Sequence, residues 1–325
     1  MISIHESKSL AETKLLKEEG IAGIGISHSS PKKIRVYVES EEMAKKIPER
    51  LASHKTEVVV TGRFQIMPLF QDYGMEYKIK GYTGKYRPAL GGVSIGHVDI
   101  TAGTLGMVVR DIVSDRRVIL SNCHVLAHSG LAEIGDPIIQ PGAWDEGKDP
   151  DDRIATLTRF IEIKPPPEKN YVDAAIATPI NDSDVSDDII DIGKPAGAMG
   201  ARVKMEVCKV GRTTQYTEGT IQDVNATIKI FGYPIIPEGY AIFSDQIITD
   251  YMAMGGDSGS ILLDKSTKRA VGLLFAGSRS STAFNKIEHV IRMLNINIEG
   301  GYVAAGFPFA MLLMTVPMMY DLFKH

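Results

Sequence analysis

The chain has 325 residues, more than one hydrophobic core usually fills, so we expect two domains or a two-lobed domain with an appendage. Its composition, with 44% hydrophobic and 23% charged residues, is typical of a globular protein and unlike a disordered or disulfide-stapled chain. The net charge of −4 comes without a long basic run, which argues against nucleic acid as a partner.

The first 66 residues alternate between helical and strand periods of apolar residues. This alternation predicts a small α/β domain over residues 1–66. We expect Ser40 to cap its second helix. The predicted elements are a helix at 6–19, strands at 21–27 and 33–39, a helix at 41–51 and a strand at 57–61.

Glycine and aromatic residues dominate residues 67–86, which predicts a linker. Beyond it, short apolar runs recur between Gly, Asp, Asn and Pro residues, and helical periods are scarce until residues 287–294, where we expect a closing helix. Such spacing predicts an all-β barrel or sandwich over residues 87–300. The runs cover residues 106–110, 117–120, 172–177, 219–224, 260–263 and 270–275.

The C-terminal segment, residues 301–325, is strongly apolar. Residues 302–320 carry no charge, a length close to one bilayer thickness of helix. Gly306, Pro308 and Pro317 weaken it as a regular helix, although membrane helices tolerate such residues. Two interpretations stay open: a tail that packs on the protein or in an oligomer, and a membrane anchor that leaves the rest of the chain in the cytoplasm.

Cysteine usage bears on the compartment. Only Cys123 and Cys208 occur, and the N-terminus mixes charges instead of showing a secretory signal. We therefore expect a reducing, cytoplasmic setting with two buried thiols, while one disulfide between them stays open.

A glycine-flanked serine is the sharpest chemical signal in the chain. Residues 255–260 read GGDSGS and lead directly into an apolar run. Glycines free the backbone to point N–H groups inward, so Ser258 is a candidate nucleophile, and the N–H groups of Gly256 and Ser258 are candidates to hold an oxyanion. The alternative is an ordinary β-turn.

A histidine follows another apolar run. His124, in LSNCHVLA, lies at the end of a predicted strand, from which it can be aimed into a cleft. The alternatives are a structural histidine and a metal ligand acting with His128. No further ligands with suitable spacing follow, so we predict no metal site.

A lone acid in an apolar run completes the set. Asp173, in YVDAAIA, needs a buried partner, and it would fix the tautomer of His124 and stabilise the imidazolium formed when Ser258 loses its proton. The other candidate carboxylates lie in polar loop sequence: Asp136, Asp149, Asp151 and Asp152.

The order of His124, Asp173 and Ser258 along an all-β chain with a GDSG turn resembles the chymotrypsin/trypsin-like serine proteases. The runs GGVSIGH, TAGTLG, LSNCHVLA, GDPIIQPG, VDAAIA, VGRTTQYTEGT and GLLFAGS are similar to a prokaryotic branch of that superfamily that resembles plant narrow-leaf-type proteins. The resemblance covers residues 87–297.

The resemblance implies two six-stranded antiparallel β-barrels with the active site between them. It implies a serine endopeptidase that acts on protein or peptide substrates without a metal or organic cofactor. It further implies that Phe275, Ala276 and Gly277 line the substrate backbone as an antiparallel edge. The residues Met252, Ala253 and Met254 would then border an apolar pocket for the side chain preceding the cut.

The sequence departs from the resemblance at Cys123, which stands where relatives often carry another polar residue, and also in its activation signals and its disulfides. No activation site precedes Arg87, and Asp257 has no new N-terminus to pair with, so we expect it to bond locally. No cysteine pairs typical of secreted members occur.

Two other functions remain open: a non-catalytic binding or scaffold module on a protease fold, and an esterase that uses the same residues. The sequence indicates no oligomeric state.

Overall fold

The computed structural model describes residues 2–66 and 81–304. Within these residues the chain forms four α-helices, Ile4–Leu15 (α1), Glu41–Ala44 (α2), Cys123–Leu126 (α3) and Ile287–Leu294 (α4). The strands, in chain order, are Ile21–Ile26 (β1), Ile34–Val38 (β2), Arg50–Leu51 (β3), His54–Val60 (β4), Ala89–Gly91 (β5), Ser94–His97 (β6), Gly103–Thr104 (β7), Met107–Asp111 (β8), Arg117–Ser121 (β9), Pro137–Ile139 (β10), Arg153–Phe160 (β11), Lys169–Asn170 (β12), Ala175–Pro179 (β13), Val185–Ile189 (β14), Ala198–Met199 (β15), Glu206–Gly211 (β16), Gln215–Phe231 (β17), Tyr240–Asp250 (β18), Ile261–Asp264 (β19), Ala270–Gly277 (β20), Ser281–Lys286 (β21), Ile296–Asn297 (β22) and Tyr302–Val303 (β23).

Two barrel-like sheets form the body of the protein, and the prediction of a mainly β fold is confirmed. The first sheet has eight strands in the order β22-β8-β9-β13-β11-β10-β6-β7. The second has thirteen, and its main path runs β12-β18-β21-β20-β19-β16-β17-β1-β2-β4-β3. Both strand counts exceed the six per barrel that the resemblance implies, and the second sheet is larger because it takes in the N-terminal strands.

The N-terminal elements do not form a sheet of their own. Strand β1 pairs antiparallel with β17, with Gly23 opposite Ile228. A Cβ on Gly23 would lie 2.7 Å from the carbonyl oxygen of Thr227, so this close approach requires glycine. The expected separate α/β domain over residues 1–66 is therefore not confirmed, because its sheet continues into the second lobe.

The second predicted helix, at 41–51, is shorter than expected. It is capped by Ser40, whose Oγ accepts the N–H of Met43 at 3.2 Å, but it ends at Ala44. Pro48 has no N–H to donate to a helix interior, so the chain turns there and residues 50–51 become strand β3. The closing helix predicted at 287–294 is confirmed as α4.

The largest buried apolar cluster draws on both lobes. It contains Ile119 of β9 from the first sheet, and Phe243 of β18 and Phe275 of β20 from the second. The two lobes therefore share a core, and residues at their contact are held from both sides.

The apolar C-terminal segment lies mostly outside the described residues. Its first residues, Tyr302–Val303, form β23, which pairs with β15, whereas residues 305–325, and with them most of the stretch considered as an anchor, are not described. Across residues 2–66 and 81–304, no helix combines the length and the apolar character that crossing a membrane requires.

Candidate active site

Helix α3 directs His124 at Asp173. The Nδ1 atom of His124 lies 2.5 Å from Oδ2 of Asp173, and the backbone N–H of His124 donates to Oδ1 of the same carboxylate at 3.1 Å. Asp173, just before β13, is fully buried. Because both carboxylate oxygens hold the same residue, the ring orientation is fixed, and Nε2 is the nitrogen left for chemistry.

Three further residues hold Asp173. The hydroxyl of Tyr233 donates to Oδ2 at 2.6 Å, the side-chain amide of Asn122 donates to the backbone carbonyl at 2.7 Å, and Asn285 accepts the backbone N–H at 2.9 Å. Burial, reinforced by the neighbouring carboxylate of Asp173, raises the pKa of Tyr233 well above its ordinary value, so the phenol stays a donor. The sequence did not predict a role for any of these three residues.

The other candidate carboxylates bond to residues other than His124. Asp136 contacts His97 at 3.1 Å from Nε2, and Asp149 accepts from Arg153 at 2.6 Å. Asp152 lies 2.7 Å from the ammonium of Lys85. None of these three pairs includes His124.

Ser258 lies in the turn before β19 and is 2% exposed. Its Oγ and the Nε2 of His124 are both buried, and neither has a hydrogen-bond partner among the described residues. Buried polar atoms normally find partners. The side chains of Ser258 and His124 therefore do not hydrogen-bond to each other in this structure, and both atoms can take a further partner.

Thr104 of β7 ties the serine turn to the strand that leads to His124. Its N–H donates to the carbonyl of Ser258 at 2.7 Å, and its hydroxyl donates to the carbonyl of Gly256 at 2.8 Å. Its own carbonyl accepts the hydroxyl of Ser121, the last residue of β9, at 2.8 Å. One residue of the first sheet thus positions the serine turn of the second.

Gly259 is needed at this contact. Its φ of +99° lies in the region that side chains rarely adopt, and an added Cβ would lie 2.2 Å from both Oγ of Ser121 and the carbonyl oxygen of Thr104. The glycine after Ser258 therefore lets the two lobes meet at the serine.

Two carbonyl contacts orient the amides that are candidates for an oxyanion site. The hydroxyl of Thr213 donates to the carbonyl of Gly255 at 2.6 Å. In a planar trans peptide the N–H points opposite to the C=O, so this bond turns the N–H of Gly256 away from Thr213.

The second peptide is fixed in the same manner. The carbonyl of Asp257 accepts both the N–H of Ser260 at 3.0 Å and its hydroxyl at 2.5 Å, which turns the N–H of Ser258 to the other side. Within the described part of the chain, neither the N–H of Gly256 nor that of Ser258 donates a hydrogen bond. Preoriented donors of this kind are what stabilisation of a developing oxyanion requires.

Asp257 is the most heavily bonded side chain of the turn. Its fully buried carboxylate accepts the N–H groups of Thr213, Thr214 and Met254 at 2.8, 3.1 and 3.0 Å, and the hydroxyl of Thr214 at 2.6 Å. The ammonium of Lys209, also fully buried, lies 3.2 Å away. Burial lowers the pKa of Lys209, and the carboxylate of Asp257 opposes that shift. We expected Asp257 to bond locally, but among the partners of its carboxylate only Met254 is close in the sequence. The other partners come from β16 and the turn after it.

Most of the predicted substrate-binding side chains are buried, and one is exposed. Met252 and Ala253 are buried in a core cluster with Leu274, whereas Met254 is 40% exposed. Phe275 and Ala276 are fully buried. Gly277 ends β20, where its backbone bonds to Gln65 of the same chain. The apolar pocket stays a prediction.

One group of potential metal ligands exists among the described residues, and it excludes His124. It consists of His97, Asp99 and His128. Nε2 of His97 lies 3.1 Å from a carboxylate oxygen of Asp136, and its Nδ1 accepts the N–H of Asp99. Both ring nitrogens of His97 therefore have protein partners, and we assign no metal to this group.

Both cysteines are free and buried, so the structure contains no bond between Cys123 and Cys208. Burial raises the pKa of both thiols, and for Cys123 the charge of Asp173 adds to the shift. Neither thiol is poised as a nucleophile, because nucleophilic attack requires the thiolate.

No known family profile matches the sequence, and no curated protein matches it. Solved structures with a similar fold include the Nocardiopsis protease, which has 16% sequence identity and a TM-score of 0.46. The match covers 64% of this chain and 97% of that one. Protease A of Thermobifida fusca has 18% identity and a TM-score of 0.46 over the same shares. A glutamic-acid-specific serine protease has 16% identity and a TM-score of 0.46 over 65% of this chain and 100% of that one.

Proposed function

We propose that this chain is a serine endopeptidase in which Ser258 is the nucleophile, His124 the general base and Asp173 the orienting carboxylate. The observation that carries the proposal is the doubly bonded Asp173–His124 pair, which leaves a buried Nε2 without a partner while the Oγ of Ser258 is likewise unpartnered. The bonded Asp173–His124 pair can orient a general base, and the Oγ of Ser258 can serve as the nucleophile, as acyl transfer requires.

The proposed chemistry proceeds in two halves. The Oγ of Ser258 attacks the scissile carbonyl carbon while Nε2 of His124 takes the hydroxyl proton, and the oxyanion is held by the N–H groups of Gly256 and Ser258. The imidazolium then gives its proton to the leaving amine as the C–N bond breaks. Water, deprotonated by the same Nε2, cleaves the acyl ester and restores the serine. Asp173 stays ionised throughout and holds the tautomer.

A purely structural or binding role would not need this arrangement. The turn at Ser258 combines two carbonyl contacts that fix amide direction with a buried ion pair beneath them. A buried ion pair and a buried hydroxyl without a partner are both costly, so their presence in one serine turn favours catalysis over a scaffold module.

We place the protein within the chymotrypsin/trypsin-like superfamily, in the prokaryotic branch that resembles plant narrow-leaf-type proteins, on the strength of its sequence motifs. Two unpaired, buried cysteines fit a reducing compartment, and we propose the cytoplasm. Tethering through the C-terminal segment is tested by fractionating cells without detergent, and recovery wholly in the soluble fraction would reject it.

The deciding experiment is covalent labelling with a fluorophosphonate, which reacts with activated serines. We expect one adduct, located at Ser258 by mass spectrometry, and none in Ser258→Ala. Ser266→Ala, a serine in the turn that follows β19, is the matched control and should label as the unmodified chain does. Folded protein that takes no label, or labels elsewhere, would contradict the proposal.

Asp173→Asn separates orientation from folding. The variant keeps the shape of the side chain but no longer holds His124 in the tautomer that leaves Nε2 unprotonated. Labelling should therefore slow by about 10⁴-fold, while the thermal transition stays cooperative. Turnover of peptides, compared with that of small esters, then decides between an endopeptidase and an esterase.

A further inference from the structure

A short segment of the chain lies against the end of β20, past the last residue that pairs with β19. The N–H of Gln65 donates to the carbonyl of Gly277 at 3.0 Å, and the N–H of Gly277 donates to the carbonyl of Gln65 at 3.1 Å. The two residues form an antiparallel bridge. Gly277 is the last residue of β20, so the chain itself supplies a partner for the end of this strand.

The other side of the segment pairs as well. The N–H of Ile66 donates to the carbonyl of Phe231, and the N–H of Phe231 donates to the carbonyl of Phe64, both at 3.0 Å. Residues 64–66 are thus an extended segment, held by isolated bridges at Gln65, between the ends of β17 and β20. We call residues 64–66 the internal strand.

The internal strand points toward the nucleophile. Leu274 of β20 bonds to the residues that follow Ser258, because its carbonyl accepts the N–H of Gly259 and its N–H donates to the carbonyl of Ser260, both at 2.9 Å. From Leu274 to Gly277, β20 runs away from that turn. An antiparallel partner of Gly277 therefore runs from Phe64 to Ile66 in the direction of the serine.

Side-chain contacts hold the internal strand in place. Phe64 is fully buried and meets Tyr37 edge to face at 6.2 Å. The guanidinium of Arg63 lies 4.3 Å from the ring centre of Phe231 and bonds to the carboxylate of Glu39 at 3.0 Å. The strand is therefore anchored by the N-terminal elements, which are themselves joined to the second sheet through β1.

We propose that the internal strand occupies the peptide-binding edge at Gly277, so that the resting protein is autoinhibited and a peptide substrate must displace residues 64–66. The inference rests on the proposed peptidase function. An extended peptide adding to β20 would use the same N–H and C=O groups of Gly277 that Gln65 now uses. Because the competitor belongs to the same chain, its effective concentration stays high at any protein concentration.

The first test compares Gln65→Pro with Gln65→Ala in the full-length chain. Proline removes the N–H that donates to Gly277, whereas alanine keeps both backbone bonds. If the edge is open only a tenth of the time, freeing it lowers the KM for an internally quenched peptide mixture about tenfold. We expect that fall in Gln65→Pro alone. Hydrolysis of p-nitrophenyl acetate, which is too small to need the edge, should be equal in all three proteins.

A second pair of variants avoids proline in case Gln65→Pro fails to fold. Arg63→Glu places two carboxylates together, because Glu39 lies opposite, and the half-exposed side chain leaves the core untouched. The peptide KM should fall several-fold in Arg63→Glu. It should return to the original value in Arg63→Glu combined with Glu39→Arg.

The outcomes separate the two proposals. Normal ester hydrolysis with an unchanged peptide KM in both Gln65→Pro and Arg63→Glu would overturn autoinhibition and leave the peptidase proposal intact. Absence of both ester hydrolysis and fluorophosphonate labelling in every protein would reject the peptidase proposal itself. In that case hydrogen exchange at the amide of Gly277 judges the internal strand: faster exchange in Gln65→Pro than in Gln65→Ala supports the pairing, and equal exchange rejects it.

Discussion

Replacing Lys209 by methionine tests whether the buried ion pair holds the serine turn in its working shape. Methionine has a similar length and no charge, so the change removes the ammonium that lies 3.2 Å from Asp257 and leaves the packing volume nearly unchanged. Both side chains are fully buried. The carboxylate of Asp257 would then lose its only charged partner among the described residues.

The size of the effect follows from what remains around Asp257. Removing one partner of a buried pair costs about 3–5 kcal/mol, and three N–H groups and one hydroxyl still donate to the carboxylate. We therefore expect the lower end, about 3 kcal/mol. Because Asp257 directly precedes Ser258, the amide of Ser258 should shift, and loss of one oxyanion donor slows chemistry about 10²–10³-fold.

Two measurements on the same protein check this prediction: denaturant unfolding and the rate of fluorophosphonate labelling. The matched control is Lys265→Met, which removes a lysine from the exposed pair with Glu218 and should change neither quantity appreciably. If Lys209→Met were no less stable than Lys265→Met and labelled at the unmodified rate, the ion pair would have no part in shaping the turn.

Three further predictions concern other buried residues. Tyr233→Phe removes the hydroxyl that bonds to Asp173, so kcat should fall about tenfold in steady-state assays while the melting temperature changes little; an unchanged kcat would contradict it. Gly259→Ala should abolish labelling and lower stability by about 3 kcal/mol in denaturant unfolding, unless the lobes can separate there at no cost. For Glu12, burial raises the pKa, but Lys8, Lys169 and a hydroxyl outweigh it and hold the pKa below 4.5. Its stabilisation is therefore complete above pH 4.5 and is lost as pH falls through the lower folded value, and Glu12→Gln should flatten the acid limb of the stability–pH curve.

The sequence predicted the contact of His124 with Asp173, but not the residues that hold this pair and the serine turn in place. The contact of His124 with Asp173 follows from residue types that have few other uses in apolar runs. The roles of Thr104, Thr213 and Tyr233 depend on contacts with residues far along the chain, and a threonine or tyrosine in a strand has many ordinary uses. The sequence did contain a signal for one positioning residue: Lys209 is a charged residue among apolar ones in EVCKVG, which indicates a buried ammonium that needs a carboxylate partner.

Short-range sequence patterns predicted individual elements of the fold, but not the pairings between strands that are distant in the sequence. The cap at Ser40 and the helix at 287–294 follow from short-range patterns, and both are present. The continuity of the N-terminal strands with the second lobe was not predicted, because strand order depends on partners that a local pattern does not encode. The same limit hid the pairing of Gln65 with Gly277.

The pairing of β1 with β17 also bears on how the protein is made. As the chain leaves the ribosome, Gly23 emerges long before its partner Ile228, so one edge of β1 has no neighbour for most of translation. An unpaired edge rich in isoleucine is prone to join strands of other chains. Nascent chains that stall before β17 should therefore depend on chaperones, and aggregation during expression should trace to this delay more than to any weakness of the finished fold.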